Sequence, residues 1–182
     1  MEGKNKRCIL YSIIVILIVI VGIIFFYPSS PKDPFNVQEI DSALKEKIDS
    51  SFNSPWGMES RTKVYLQNAM AKIEQEEDYG VVFAVRNSRK NISEPQQFNY
   101  NVEISSLDDG IEDCKTTSEK ATSYIVSGSE GSFNLASGES YYSIIRFDLP
   151  ESAPLCTIRY LINVTQSGEL YAQDFFDVKI IK

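Results

Sequence analysis

The chain opens with an unbroken apolar run, since residues 9–27 contain no charged side chain. A helix of this length, at about 1.5 Å per residue, spans nearly all of a bilayer's hydrocarbon core, which is about 30 Å thick. Aromatic residues at both ends of the run suit the headgroup regions. A cleaved signal peptide, the alternative, usually has a shorter apolar region before small residues at the cleavage site. The pattern predicts a retained transmembrane helix over residues 8–27.

Helical spacing of apolar residues follows in residues 28–78, after a short proline-rich spacer. One apolar stripe, at steps of three and four residues, consists of Val37, Ile40, Leu44, Ile48 and Phe52, and Asn36 is its predicted N-cap. A second stripe, from Ser54-Pro55 to about Asp78, consists of Thr62, Tyr65, Leu66, Ala69, Met70 and Ile73, and Gly80 is its predicted stop. These stripes predict two amphipathic helices. They pack on each other or on the following domain, or alternatively lie on the membrane or bind a partner's helix.

From residue 79 the spacing of the apolar residues changes from helical to alternating. Phe98, Tyr100, Val102 and Ile104 alternate with polar residues. Ile158, Tyr160, Ile162 and Val164 share one face of another strand, and the opposite face carries Thr157, Arg159, Leu161, Asn163 and Thr165. About seven such short strands, separated by turn residues, are predicted in residues 79–182. The prediction is a mainly β protein whose C-terminal domain is an antiparallel, immunoglobulin-like β-sandwich.

The distribution of charge fixes the expected orientation. The chain has 18 basic and 25 acidic residues, but its first seven carry Lys4, Lys6 and Arg7 against Glu2. Positive residues immediately before the span predict a cytoplasmic tip, residues 1–7, and an extracytoplasmic body, residues 28–182. The acidic body lacks a basic patch, so no nucleic acid is expected as a partner.

Three cysteines and two sequons agree with this orientation. Cys8 precedes the apolar run, whereas Cys114 and Cys156 fall in the exported part, where two thiols are expected to form a disulfide. The bridge would pin the long connection at residues 106–121 to the core. Asn91 and Asn163 begin Asn-x-Ser/Thr sequons and are glycosylation candidates. Alternation places Asn163 on the outward face of its strand.

Candidate chemistry is sparse, because the chain contains no histidine and therefore no histidine-based triad or metal site. One dense acidic cluster, a calcium candidate, consists of Asp108, Asp109, Glu112 and Asp113. Its spacing does not match an EF-hand, and acidic turns are usually only solvated. A pair of carboxylates for glycoside hydrolysis remains an alternative, although no pair stands out. We expect no enzymatic activity and no cofactor.

The last strands carry a resemblance. Residues 153–160, APLCTIRY, and 173–178, QDFFDV, look like the final hairpin of an immunoglobulin-like sandwich. The layout of basic tip, single span and β-sandwich is similar to single-span surface proteins of archaea, including archaellum stator subunits and pilin-like ectodomains. The apolar run departs from pilins, because it lacks the Gly or Ala processing site and the Glu five residues on. No residue role is carried over from these families.

These features together predict a membrane-anchored extracytoplasmic module that works through protein contacts, as an accessory subunit of a cell-surface assembly. Its expected partners are the lipid bilayer, through residues 8–27, and other membrane or cell-surface proteins. The alternatives are a carboxylate-based hydrolase, a small-ligand or calcium receptor domain, and a surface filament subunit. Two facing acids in a concave pocket would favour the first alternative.

Overall fold

A computed structural model of the chain describes residues 36–53, 63–89, 92–106, 114 and 116–182. The described residues form two helices and nine strands, within one unit that covers Phe35–Lys182. The helices are α1 (Ser42–Phe52) and α2 (Ser118–Thr122). The strands are β1 (Val64–Leu66), β2 (Met70–Glu74), β3 (Asp78–Arg86), β4 (Gln96–Ser106), β5 (Ile125–Ser127), β6 (Glu130–Leu135), β7 (Ser140–Asp148), β8 (Thr157–Gln166) and β9 (Glu169–Ile181).

The strands form two sheets that enclose the core, so the predicted mainly β fold is confirmed. The four-stranded sheet has the order β1-β3-β7-β5, and the five-stranded sheet has the order β2-β9-β8-β4-β6. The alternation predicted for β8 is present, because Ile158, Tyr160, Ile162 and Val164 are all buried. All pairs are antiparallel except β2 and β9, which run parallel, so the second sheet is mixed.

Aromatic packing fills one end of the core. The Tyr160 ring stacks on Phe176 at 5.5 Å between centroids, and Phe147 meets the Tyr160 ring edge-on at 5.2 Å. The Tyr160 hydroxyl donates to the Ala121 carbonyl at 2.8 Å, which ties α2 to the core. Burial, followed by the neighbouring Tyr124, raises the pKa of Tyr160, so its hydroxyl stays protonated and remains a donor.

Helix α1 packs on the outer face of the four-stranded sheet. Its buried residues Ile48 and Phe52 contact Val82 and Ala84 of β3. Strand β3 therefore has apolar neighbours on both faces, which explains its nearly continuous apolar sequence. The prediction that the first stripe packs on the following domain is confirmed.

The start of α1 differs from the prediction. Asp41 is the N-cap, because its side chain accepts from the Leu44 N–H at 2.7 Å, and the helix begins at Ser42. Asn36 is not the cap. Its side chain instead donates to the Asp78 carbonyl and accepts from the Gly80 N–H, both at 3.0 Å. These bonds fix the segment before the helix across strand β3.

Gly80 lies in the interior of β3 and does not end a helix, contrary to the prediction. A Cβ at this position would lie 1.9 Å from the Val37 carbonyl oxygen and 3.0 Å from Ile144 Cγ2. The Val37 N–H donates to the Gly80 carbonyl at 3.3 Å. Glycine is therefore required because the segment before α1 crosses in direct contact with the strand backbone.

The prediction of a second amphipathic helix is wrong for the part of its range that the structure describes. Residues 64–66 and 70–74 are strands β1 and β2, which brings the strands to nine and places the start of the sandwich before residue 79. In β2, Ala71 and Ile73 are buried and their neighbours exposed, which is a period of two. Asn68 explains why β1 and β2 are separate strands, because its side chain accepts from the Met70 N–H at 3.1 Å and forms a turn between them.

Several predictions fall on residues outside the described part. The tip at residues 1–7, the transmembrane helix at 8–27 and the proline-rich spacer are among them. Within the described ranges, no helix has both the length and the hydropathy to cross a membrane.

Candidate functional site

The outer face of the five-stranded sheet lies on the side of the sandwich away from α1. The apolar contacts of α1 go to β1, β3 and β7, which belong to the other sheet. On β8, the outward residues are Thr157, Arg159, Leu161, Asn163 and Thr165. Residues directly opposite on neighbouring strands share this face, so the register places β4, β6 and β9 side chains beside them. Two groups of side chains on this face are held in place by hydrogen bonds between side chains, and each is a candidate binding surface.

The first group, which we call the Arg159 corner, consists of Met70, Arg159, Leu161, Phe175 and Asp177. Arg159 lies opposite Asp177 and donates to both carboxylate oxygens, from Nε at 2.8 Å and from Nη2 at 3.0 Å. Its guanidinium carbon lies 4.4 Å from the centroid of the Phe175 ring. The bidentate bond and the aromatic ring together hold the guanidinium in one orientation.

The Arg159 corner presents apolar surface around this ion pair. Phe175 is 47% exposed and lies opposite Leu161 of β8. Met70, on β2, is 49% exposed and lies opposite Asp177 of β9. Aromatic residues, Met and Arg are enriched in the buried centres of protein–protein interfaces. The arrangement suits contact with another protein.

The second group is a row of amides and carboxylates further along the same face. Asn163 donates from Nδ2 to Glu103, and its Oδ1 accepts from Gln173 at 2.5 Å. The outward position predicted for Asn163 is therefore confirmed. Nδ2 is the atom to which a glycan would be attached, so modification would replace the bond to Glu103. Use of the sequon remains a prediction.

A cavity of about 300 Å³ lies at the end of the five-stranded sheet, where β4 begins and β8 ends. It is lined by Gln96, Gln97, Asn99, Gln166 and Ser167. Gln166 is 6% exposed and donates from Nε2 to Gln96 Oε1. Its own Oε1 is buried and has no hydrogen-bond partner within the described ranges. We call this the Gln166 cavity.

The turn after β8 shapes the rim of the Gln166 cavity. Gln166 pairs with Glu169, which leaves Ser167 and Gly168 as a two-residue loop. Their φ angles are 53° and 82°, and two positive values are typical of a type I′ hairpin turn. This turn carries Ser167 to the edge of the cavity.

A second cavity, of about 490 Å³, lies beside the end of α1. It contains two carboxylates, Asp49 and Glu139, and the guanidinium of Arg86. Glu139 accepts from the Ala136 N–H at 2.7 Å, and Arg86 donates to Asn53 Oδ1 at 2.6 Å. Burial, followed by the bond to Asp49, raises the pKa of Tyr142 to about 12. These charged groups are thus engaged in bonds within the protein.

The predicted disulfide is present. Cys114 and Cys156 are bonded with their Cα atoms 5.1 Å apart, and Cys156 lies just before β8 in the core. The calcium candidates Asp108, Asp109, Glu112 and Asp113 and the sequon residue Asn91 lie outside the described residues. Over the ranges that are described, no three His, Cys, Asp or Glu side chains converge closely enough to hold a metal ion.

A partly buried carboxylate near the Arg159 corner gives a pH-dependent prediction. Burial raises the pKa of Asp174 above 3.8, and the Phe175 N–H, which donates to it at 2.9 Å, partly offsets this. The folded state prefers the neutral acid, so its stability falls as the pH rises from 3.8 through the raised pKa. Asp174→Asn should therefore increase the melting temperature at pH 7, with the gain vanishing below pH 3.8.

Asp177→Asn is the matched control for thermal unfolding at several pH values. It replaces a neighbouring carboxylate that accepts two bonds from Arg159, so it should lower the melting temperature at pH 7. A loss of stability for Asp174→Asn at neutral pH would contradict the assignment of a burial penalty to this carboxylate.

No protein-family model and no curated protein matches the chain. Solved structures match parts of it at low identity. They include the alkylpurine DNA glycosylase AlkC of Pseudomonas fluorescens, at 15% identity and a TM-score of 0.34, covering 65% of this chain and 31% of that one. A beta-glucosidase from Listeria innocua has 11% identity and a TM-score of 0.38, covering 64% and 15%.

A Niemann-Pick type C2 protein from Japanese carpenter ant has 12% identity and a TM-score of 0.38, covering 66% of this chain and 90% of that one. The chain spans less than a third of the glycosylase and of the glucosidase. With TM-scores below 0.5, these likenesses identify neither a family nor a function.

Proposed function

We propose that the chain is a membrane-anchored extracytoplasmic interaction module, an accessory subunit of a cell-surface assembly. Residues 8–27 supply the anchor, and the basic residues before them keep the N-terminus in the cytoplasm. The Cys114–Cys156 disulfide supports an oxidising location for the sandwich. The layout resembles archaeal single-span surface proteins, in line with this proposal.

The strand order supports an immunoglobulin-like type of sandwich. Strands β1, β3 and β7 lie in the order of the immunoglobulin strands A, B and E. Strands β4, β8 and β9 lie in the order of strands C, F and G in the opposite sheet. The short strand β5 and the edge strand β6 complete the two sheets.

The observation that carries the proposal is the exposed Phe175 ring beside an arginine that is already bonded to Asp177. A guanidinium held in place by its own chain loses little side-chain entropy when a partner covers it. Phe175 and Met70 then supply apolar area that is removed from water on contact. The Arg159 corner is therefore the proposed contact surface for a protein partner.

The experiment is photo-cross-linking in intact cells, with a photoreactive residue in place of Met70 in the full chain. Phe175→Ala is expected to reduce cross-linked partner about tenfold or more, since truncating an interface hot spot costs about 2 kcal/mol or more. Arg159→Lys should also reduce the yield, because lysine cannot make the bidentate bond to Asp177.

Val126→Ala is the matched control, because Val126 is 58% exposed and lies on β5 of the other sheet. It should leave the cross-linking yield unchanged. Equal yields from all three variants, or cross-links to lipid alone, would contradict the proposed surface. Protease added to intact cells tests the location separately, because it can cleave residues 28–182 only if they lie outside the cell.

A further inference from the structure

The Gln166 cavity has the character of a binding site for a small neutral ligand. Gln166 is 6% exposed, and its buried Oε1 has no partner in the described part of the chain. Buried amide oxygens in folded proteins nearly always have a hydrogen-bond donor. The volume of about 300 Å³ lies at the lower end of the range for small-molecule sites.

The lining of the Gln166 cavity indicates the class of ligand. It consists of four amides and one hydroxyl, and none of these groups carries a charge. A charged ligand would lose its hydration there without gaining a counter-ion. Each amide both donates and accepts, as does each hydroxyl group of a neutral polyol. The chemistry therefore matches a ligand rich in hydroxyl groups.

An exposed apolar side chain lies one strand beyond this polar lining, next to the hairpin turn that carries Ser167. Leu170 is 61% exposed and lies opposite Thr165, which in turn lies opposite Asn99 of the cavity. A sugar ring has hydroxyl groups around its edge and C–H groups on its faces. It can bond to the amides with its edge while one face covers Leu170.

We propose that the Gln166 cavity binds a terminal sugar residue of a neutral glycan. Gln97 and Asn99 contact the hydroxyl groups from the exposed side, and a hydroxyl group donates to the buried Oε1 of Gln166. This inference goes beyond the protein contact proposed above. Thr165 is six residues from Arg159 on β8, which places the two sites about 20 Å apart.

The test uses the full chain in a polyoxyethylene detergent, because glycoside detergents would compete for the cavity. Its binding is measured on an array of neutral oligosaccharides with hexose and N-acetylhexosamine termini, beside sialylated and sulfated ones. Binding confined to neutral termini is expected. Asn99→Ala and Gln166→Leu should each weaken it about 3- to 10-fold, which corresponds to one lost hydrogen bond.

Gln173→Ala is the matched control, since it removes an outer-face amide that does not line the cavity, and it should leave glycan binding unchanged. Asn99→Ala alters an exposed residue, so it provides a result even if Gln166→Leu fails to fold. Absence of neutral glycan binding, equal binding by the Asn99 variant, or preference for charged termini would overturn the proposal. Phe175→Ala should leave glycan binding intact, which separates this site from the Arg159 corner.

Discussion

Replacing Cys114 and Cys156 together by alanine is expected to lower the free energy of unfolding by about 4 kcal/mol. The bond joins residues separated by 42 positions, and in the chain-entropy model closing a loop of this length restricts the unfolded state by that amount. Cys156 also lies in the core, so its sulfur contributes packing that alanine lacks. Urea unfolding of the full chain in detergent, monitored by intrinsic fluorescence, measures the difference.

Reduction of the wild type should reproduce most of the loss, whereas Cys8→Ser should leave the unfolding midpoint unchanged. Gel mobility with and without reductant provides a second readout, because the bridged chain is more compact when denatured. Unchanged mobility, together with alkylation of both thiols in the untreated protein, would rule out the disulfide.

Gly80→Ala is expected to detach helix α1 from the sandwich. The added Cβ would lie 1.9 Å from the Val37 carbonyl oxygen, so the segment before the helix has to move away. If α1 follows this segment, its residues Ile48 and Phe52, which are buried against β3, become exposed. Exposure of two large apolar side chains corresponds to about 3–6 kcal/mol.

Hydrogen exchange measures this prediction, because amides of α1 should lose protection while those of β8 keep theirs. Gly138→Ala is the matched control, since a Cβ there meets no atom within 4 Å although its φ of +80° is unfavourable for alanine. It should cost about 1 kcal/mol and leave α1 protected. Equal protection of α1 in both variants would mean that the segment tolerates the added methyl group.

The sequence patterns correctly predicted the parts of the fold that depend mainly on residues close together along the chain. The alternation of β8, the turn at Ser167 and Gly168 and the inward position of Cys156 follow from a period of two with turn residues at its end. The first apolar stripe also predicted its burial, because a stripe on one side must pack against something. Its N-cap was displaced to Asp41, since Asn36 bonds to a strand that lies 42 residues away.

The misassigned strands depend on contacts that are distant in sequence. Strand β2 pairs with β9, more than 100 residues away, and a five-residue segment contains too few positions to distinguish a period of two from one of 3.6. Asn68 was the available signal, because asparagine favours turns over helix interiors. Tertiary pairing thus outweighed the helical spacing.

The Arg159 corner and the Gln166 cavity could not be predicted from the sequence either, because both depend on contacts between residues that are distant along the chain. Arg159 and Asp177 are 18 residues apart, and their pairing follows only once the register of β8 and β9 is known. The Gln166 cavity likewise depends on the ends of β4 and β8 meeting. An outward Arg or Phe in a strand, or a Gln at the end of one, has no distinctive spacing, so its role becomes visible only in the assembled sheet.

The parallel pairing of β2 and β9 has a mechanical consequence for a tethered chain. Tension between an N-terminal attachment and the C-terminus would pull these two strands in opposite directions along their common axis. Their five paired positions, from Met70 with Asp177 to Glu74 with Ile181, would then be loaded in shear at once. An antiparallel hairpin pulled from its open end would instead unzip one bond at a time. In a chain loaded in this way, all the bonds between β2 and β9 would have to break together before the two strands could separate.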